Sequence, residues 1–384
     1  MSGSENENRK ILSENLFPVV GVGASAGGMD AFKALVKAIP KDTGMAYILI
    51  QHLAPQYESI LPELLQKLTT LPVVEITDNI KVVPDHIYVI PSNQVLTAND
   101  GVLQLEPRIK GEKLNTIDVF FTSLAEIHQE HAIGVVLSGT GSDGTVGLKT
   151  IKDQGGITIA QDSSAVYDAM PQSAIDAEVV DFVLSPGAIP GHLLEVIRSS
   201  ALVSANNDQP EEKADAGFRQ IITLLKSKHN VDFTYYKQTT IRRRILRRKA
   251  LNRIETVKGY YSFLVENKAE QDALFKDILI PVTAFFRDPD TFDTLCKSIF
   301  SQLFKDRAVA EPIRIWVAGC STGEEAYSIA ICLLEYFTEE IWKKKIQIFA
   351  TDISEQVIAK ARRGIYLKKE MAGISDTRIR NFFT

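Results

Sequence analysis

The chain contains no apolar run near the roughly 20 residues that cross a bilayer, so a membrane-spanning helix is excluded. Cysteine is scarce: Cys296, Cys320 and Cys332 come late in 384 residues, with no pairing pattern, which excludes a disulfide framework and suits a reducing compartment. No sign of charge dominates. The net charge of −5 gives no global attraction to nucleic acid or an anionic membrane surface. The first 15 residues are polar and mixed in charge, so they lack the apolar core of a signal peptide. What is present, 45% apolar and 24% charged residues, is the composition of a globular protein, and the length asks for two or three domains. These features predict a cytoplasmic, multi-domain α/β protein.

From residue 16 to 199, short β-rich runs alternate with helical patterns at 29–38, 59–68, 117–129, 145–154 and 186–199, as in a doubly wound, mostly parallel sheet. The runs 87–90, 94–97 and 102–105 around Asn99-Asp100-Gly101 predict an antiparallel hairpin on that fold. Residues 200–216 are polar and read as a linker. Residues 217–285 are helical in pattern, and the α/β pattern returns in 286–384, with strands at 313–318 and 346–350 and helices at 324–337 and 355–363.

Three motifs each follow a run that reads as a buried strand. Gly-Ala-Ser-Ala-Gly (23–27) follows 17–22, Gln51-His52-Leu53 follows 46–50, and Ser-Gly-Thr-Gly-Ser-Asp-Gly (138–144) follows 132–137. In an open α/β sheet the carboxyl ends of parallel strands form the ligand crevice. Ser25, His52 and Asp143 would then meet at one sheet edge as a hydroxyl to attack, an imidazole to take its proton and a carboxylate to orient the imidazole. Two other parses stand beside this one. Gly21, Gly23 and Ala26 fit a dinucleotide phosphate loop, but that site wants an acidic residue at the next strand end, where Gln51-His52 stands. Asp143 is also a natural cap for the helix at 145–154. His128 and His131 have a helical spacing that could serve a metal, without a third ligand, so no metal site is expected. Asp162 and Asp168 could line the crevice.

Those three motifs, with Gln161-Asp-Ser-Ser-Ala-Val-Tyr-Asp-Ala-Met-Pro171, resemble the catalytic domain of the chemotaxis receptor methylesterases (CheB-type) over residues 16–199. The resemblance implies Ser25 as nucleophile, His52 as general base and Asp143 as its orienting acid. It also implies hydrolysis of glutamate methyl esters, and deamidation of glutamine, on receptor helices, without a cofactor. Asn115-Thr-Ile-Asp118 resembles the family's substrate-cleft loop, with Asn-Thr where Pro-Ser is expected. The 15 or so residues before the first strand leave no room for the family's usual receiver domain.

In the second half, a strand at 313–318 leads into Gly319-Cys-Ser-Thr-Gly-Glu-Glu325, and the next strand ends in Ala350-Thr-Asp352. Small residues let backbone approach a ligand, the acids suit a cation, and Asp352 stands where ribose hydroxyls bind, a pattern fitting S-adenosylmethionine. The acids at 324 and 325 also suit a helix N-terminus. The stretch 237–249 is basic without an acid; on a helix Arg244, Arg247 and Arg248 share a face while Ile241, Ile245 and Leu246 can pack inward. A solvated face, a nucleic-acid patch and an acidic helix partner all fit such a stripe. Val282-Thr-Ala-Phe-Phe-Arg-Asp288, the 318–329 motif and Phe349-Ala-Thr-Asp-Ile-Ser354 resemble the chemotaxis receptor methyltransferases (CheR-type). That resemblance implies Thr283, Arg287, Glu325 and Asp352 at the methyl donor, and Arg244 and Arg247 on the receptor helix; Pro281 replaces an expected asparagine.

The sequence expectation is therefore a methylesterase joined to a Rossmann-like methyltransferase whose later strands and asparagine motif are not in this chain, so that its donor pocket is incomplete. The expected partners are chemoreceptor methylation helices and a histidine kinase or response regulator of the same pathway, not nucleic acid or membrane. A signalling scaffold with degenerate sites is the alternative, and a nucleotide-dependent oxidoreductase is disfavoured by Gln51-His52.

Overall fold

The computed structural model describes residues 17–51, 60–108, 115–205, 211–279, 283–304, 312–337, 345–366, 368–371 and 373–384. They form two compact units, divided between Ile278 and Leu279.

The first unit begins with β1 (Val19–Ala24), α1 (Gly28–Ala38), β2 (Ala46–Gln51), α2 (Leu61–Gln66), β3 (Val73–Glu75), β4 (Ile80–Lys81) and β5 (Ile87–Val89). It continues through β6 (Gln94–Asn99), β7 (Val102–Pro107), α3 (Thr116–His128), β8 (Ala132–Val136), α4 (Thr145–Gln154), β9 (Ile157–Gln161), α5 (Ala169–Asp176), β10 (Phe182–Leu184) and α6 (Ile189–Ala205). Seven strands make one sheet in the order β10-β9-β8-β1-β2-β5-β3, and every pairing in it is parallel. Alternate side chains of β1 and β2 feed two separate cores. Val20, Val22, Tyr47 and Leu49 pack with α1 and α6, while Val19, Ala46, Ile48 and Ile50 pack with α3 and α4. Both faces are covered, so the strands read as nearly continuous apolar runs. The expected hairpin is β6–β7, turning at Asp100-Gly101, with β4 added antiparallel to β7. The run at 87–90, grouped with that hairpin by sequence, is instead a parallel strand beside β2.

Close approach of α3 to β1 depends on two glycines of that strand. A Cβ on Gly23 would lie 2.5 Å from the Ile117 side chain, and one on Gly21 2.9 Å from Phe121. The glycines that fit a phosphate-loop pattern therefore make room for a helix.

Four further helices complete the unit: α7 (Glu211–His229), α8 (Gln238–Leu251), α9 (Val257–Glu266) and α10 (Lys268–Ile278). The segment expected as a linker is helical through Ala205 and again from Glu211, since its Glu, Lys and Ala residues are good helix formers; 206–210 lie outside the described residues. The second unit holds α11 (Pro289–Thr294), which runs through a π-turn into α12 (Phe300–Phe304), then β11 (Ile313–Ala318), α13 (Glu324–Phe337), β12 (Ile346–Thr351), α14 (Glu355–Arg363) and α15 (Asp376–Phe382). Strands β11 and β12 pair in parallel. Their buried side, with Ile313, packs on α13, whereas Trp316 is 72% and Phe349 51% exposed on the other side. Among the described residues no helix is long and apolar enough to cross a membrane.

His128, at the end of α3, is buried. Desolvation, helped by His131 and opposed by Asp100, pushes its pKa down from 6.5 to about 4. The folded state therefore holds the imidazole neutral while the unfolded chain takes a proton first, so stability should fall as pH drops from 6.5 towards 4, by about 3 kcal/mol at most. Urea titrations across that window should show the loss, and His128→Met should flatten it; an unchanged slope in the variant would assign the loss to other groups.

Candidate active sites

Strands β8, β1 and β2 are adjacent, and β1 is where the chain order reverses across the sheet. In open α/β sheets a switch point of this kind is where ligands bind, outside the carboxyl ends of the strands. Ser25 follows β1 directly and is half-buried. Its N–H donates to the Ser138 carbonyl at 2.9 Å, tying the loop after β1 to the end of β8. Gly27, at φ 72°, turns the chain into α1. Ser138, the first residue of the 138–144 motif and one to which the sequence assigned no role, staples three segments. Its hydroxyl donates to the Ala26 carbonyl at 2.9 Å and accepts the Tyr167 N–H at 3.0 Å, and its own N–H donates to Gln161 Oε1 at 2.9 Å. A Cβ on Gly139 would lie 3.0 Å from that of Ser25, so Ser25 and the 139–144 loop adjoin.

Asp143 closes that loop and is 5% exposed. Its Oδ2 accepts the Ile117 N–H at 3.1 Å, and its Oδ1 accepts those of Asp118 and Gly144 at 2.9 Å. Sequence suggested a cap on α4. The structure corrects this, because two of those donors open α3, whose N-terminal N–H groups have no helical acceptor. The reverse bond completes an exchange: Asp118, in the first turn of α3, accepts the Gly147 N–H of α4 at 2.8 Å. Asn115 Nδ2 donates to the other Asp118 oxygen at 3.3 Å. The loop that leads into α4 thus supplies a carboxylate to the N-terminus of α3, and α3 supplies one to the first turn of α4, which suits both dipoles. Asp162 accepts the Ser164 N–H and hydroxyl, and Asp168 is exposed at the start of α5. His52 follows the last residue of β2 and lies outside the described residues.

In the second unit the turn after β11 alternates into positive φ at Gly319, Ser321 and Gly323, and a Cβ on Gly319 would meet nothing within 4 Å. The turn is open to a close ligand. Asp352, just after β12, holds it by accepting the Ser321 N–H at 2.9 Å and the Ser354 N–H at 2.9 Å. Of the paired acids, Glu324 is buried and takes the Thr322 hydroxyl, while Glu325 is exposed. Burial pushes the Cys320 thiol up, and the Asp352, Glu325 and Glu324 carboxylates add to it, so the turn lies in an anionic field. Thr283 is half-buried and Arg287 exposed. The Phe286 N–H between them donates to Ser328 Oγ on α13 at 3.0 Å, anchoring this segment to the helix that the acids open. Pro281 lies outside the described residues.

Arg244 and Arg247 do not stand on an open face: they are 1% and 6% exposed. Arg247 Nη2 pairs with Asp181 at 2.5 Å, Nη1 with Asp277 at 2.6 Å, and Nε donates to the Gly156 carbonyl at 2.9 Å. Arg244 donates to the carbonyls of Lys152, at 2.6 Å, and Asp153 at the end of α4. Leu246, expected inside, is 36% exposed.

Residues 20–193 match the CheB methylesterase family, 216–279 the CheR methyltransferase all-alpha domain and 281–384 the CheR methyltransferase SAM binding domain. A putative protein-glutamate methylesterase/protein-glutamine glutaminase of Leptospira interrogans is 33% identical over 175 residues, 44% of this chain and 89% of that protein. An uncharacterized 104.1 kDa protein of Rhodobacter capsulatus is 33% identical over 347 residues, 84% of this chain and 36% of that protein, so the chain spans about a third of that relative's length. The crystal structure of the Thermotoga maritima CheB methylesterase catalytic domain is 30% identical, covering 47% of this chain and 98% of that one, at a TM-score of 0.43. The chain belongs to the CheB methylesterase family and joins to that domain the all-alpha and SAM binding domains of CheR methyltransferases.

The cap exchange makes a direct prediction. Asp118→Ala leaves the Gly147 N–H buried without its acceptor and should cost about 1–3 kcal/mol. Asp118→Asn, which keeps an accepting oxygen, should restore most of it. Equal chemical-denaturation midpoints for Asp118→Ala and wild type would remove the brace from the account.

Proposed function

We propose that the first domain is a protein-glutamate methylesterase, and a glutaminase on the same side chains, with Ser25 as nucleophile, His52 as general base and Asp143 as its orienting acid. The observation that carries this reading is the placement of Ser25 and Asp143 after two adjacent strands at the switch point, with His52 next in sequence after the third. Ser25 Oγ attacks the ester carbonyl as His52 takes its proton, and N–H groups in the turn into α1 stabilise the oxyanion. Collapse transfers that proton to the leaving group, the methoxide oxygen giving methanol or the side-chain amide nitrogen of glutamine giving ammonia. Water, deprotonated by His52, then releases the glutamate. The substrates proposed are the methylation helices of chemoreceptors, with a histidine kinase or response regulator of the same pathway as further partners, in the cytoplasm.

Ser25→Ala should abolish methanol release from methylated receptor with little change in thermal midpoint. His52→Ala should lose about 10³-fold or more, and Asp143→Asn somewhat less. Members of a triad act as one unit, so the His52→Ala/Asp143→Asn double variant should be little slower than His52→Ala. Fully multiplied losses would leave Asp143 only its helix-capping role.

For the second unit we propose the S-adenosylmethionine site at Thr283, Arg287, Glu325 and Asp352. The anionic, open turn at 319–323 fits a ligand carrying sulfonium and ammonium groups, and Asp352 follows β12 where ribose hydroxyls would be met. The bound donor supplies an activated methyl group; the chain's part is to hold its cationic and hydroxyl groups. The exposed Trp316 and Phe349 leave one side of this short sheet open to water, so calorimetry on the 384-residue chain should show no tight binding. Micromolar affinity would overturn this, and Asp352→Ala should then abolish it.

A further inference from the structure

The arginines of α8 meet the methylesterase domain at one edge of its sheet. Gly156 immediately precedes β9, Asp181 immediately precedes β10, and Gln129, which accepts from Arg243 Nη1 at 3.3 Å, lies just before β8. These are the amino ends of the strands, whereas Ser25 and Asp143 follow carboxyl ends. The helical domain is therefore held at the edge opposite the proposed catalytic crevice.

The contact is built from charge. Arg244 sits on the last carbonyls of α4, the negative end of that helix. Arg247 fills a socket of two carboxylates and a carbonyl, with its side chain and that of Asp181 each 3% exposed. Burial opposes the charge on Asp181, but the Arg247 and Lys152 cations outweigh it and hold the carboxyl below its usual range. Thr158 fixes the same Asp181 oxygen through its N–H and hydroxyl, each at 3.0 Å. Just past the C-terminus of α8, Arg253 pairs with Glu195 of α6 at 2.6 Å.

We propose that the arginine face of α8 is the surface that anchors the helical domain to the methylesterase domain, and that this anchoring excludes an acidic helix from the same face. One guanidinium cannot hold Asp181 and an external glutamate with the same fork. The second half of the proposal rests on reading this face as an acidic-helix site once it is uncovered; the first half does not.

The test uses the 384-residue chain and two readouts that need no enzyme activity: amide hydrogen exchange, and anisotropy of a labelled, glutamate-rich helical peptide with its glutamine counterpart as control. Asp181→Asn keeps the size of the side chain and removes its charge. It should speed exchange in α8 and at 155–158 by at least about tenfold, because it removes one of the two carboxylates that neutralise a buried arginine and leaves only Asp277 opposite it. It should also tighten binding of the acidic peptide by about tenfold or more, an increase that Arg244→Gln/Arg247→Gln in the same background should erase. Unchanged exchange in Asp181→Asn would overturn the anchor. Faster exchange with unchanged peptide affinity would leave the anchor standing and overturn the exclusion. Should Asp181→Asn not fold, Arg244→Gln, altered on the helical side alone, carries the test: exchange at 152–156 must rise, and protection equal to wild type refutes the anchor.

Discussion

The exchange of carboxylates between α3 and α4 is the interaction on which the first domain's site depends. Asp143 satisfies the opening N–H groups of α3, and Asp118 satisfies the Gly147 N–H in α4. For both bonds to form, the two helix starts must lie side by side above the carboxyl edge of the sheet. Gly147 permits this, since a Cβ there would stand 2.3 Å from that of Phe121. Gly23 permits the other approach, of Ile117 onto β1. A buried carboxylate left without donors is costly, so the bonds that place Asp143 beside the loop of Ser25 also make its position the low-energy one. A single set of contacts serves stability and site geometry, and any change to the start of α3 reaches both.

The order of elements and the three strand ends were legible because parallel strands buried on both faces leave long apolar runs, and the residues after them stand out by type. Gly21 and Gly23 were ambiguous for a physical reason: a glycine that admits a phosphate and one that admits a helix look alike until the neighbour is seen. Asp143 as a cap was legible, but not of which helix, because a local pattern cannot reveal a donor 25 residues away. Ser138 was hidden for the same cause, its partners being the distant Ala26, Gln161 and Tyr167.

Arginine gave the largest departure. Periodicity placed Ile241 and Ile245 inside correctly. Hydropathy, however, assigns a guanidinium to water, and the pattern cannot register a socket built by Asp181, Asp277 and helix-end carbonyls from elsewhere in the chain. Buried arginine is rare unless fully paired. The pairing here draws on both domains of the unit, so the basic stripe read as a surface for an outside partner is also complementary to the chain itself.

The two edges of the seven-stranded sheet consequently have different chemistry. At the carboxyl edge, glycines such as Gly27 and Gly139 let the loops of Ser25 and Asp143 pack side by side. At the amino edge, buried ion pairs and helix-end carbonyls fill the space and fix α8. Parallel strands impose this division, because every crossover returns a chain segment to the amino edge and releases one at the carboxyl edge. A helical domain held at the amino edge does not itself cover the carboxyl edge, so in this arrangement the proposed esterase site need not be exposed by moving that domain. On the reading proposed above, control of the two activities would be separate: substrate would reach Ser25 at one edge, while charge competition would act on Arg244 and Arg247 at the other.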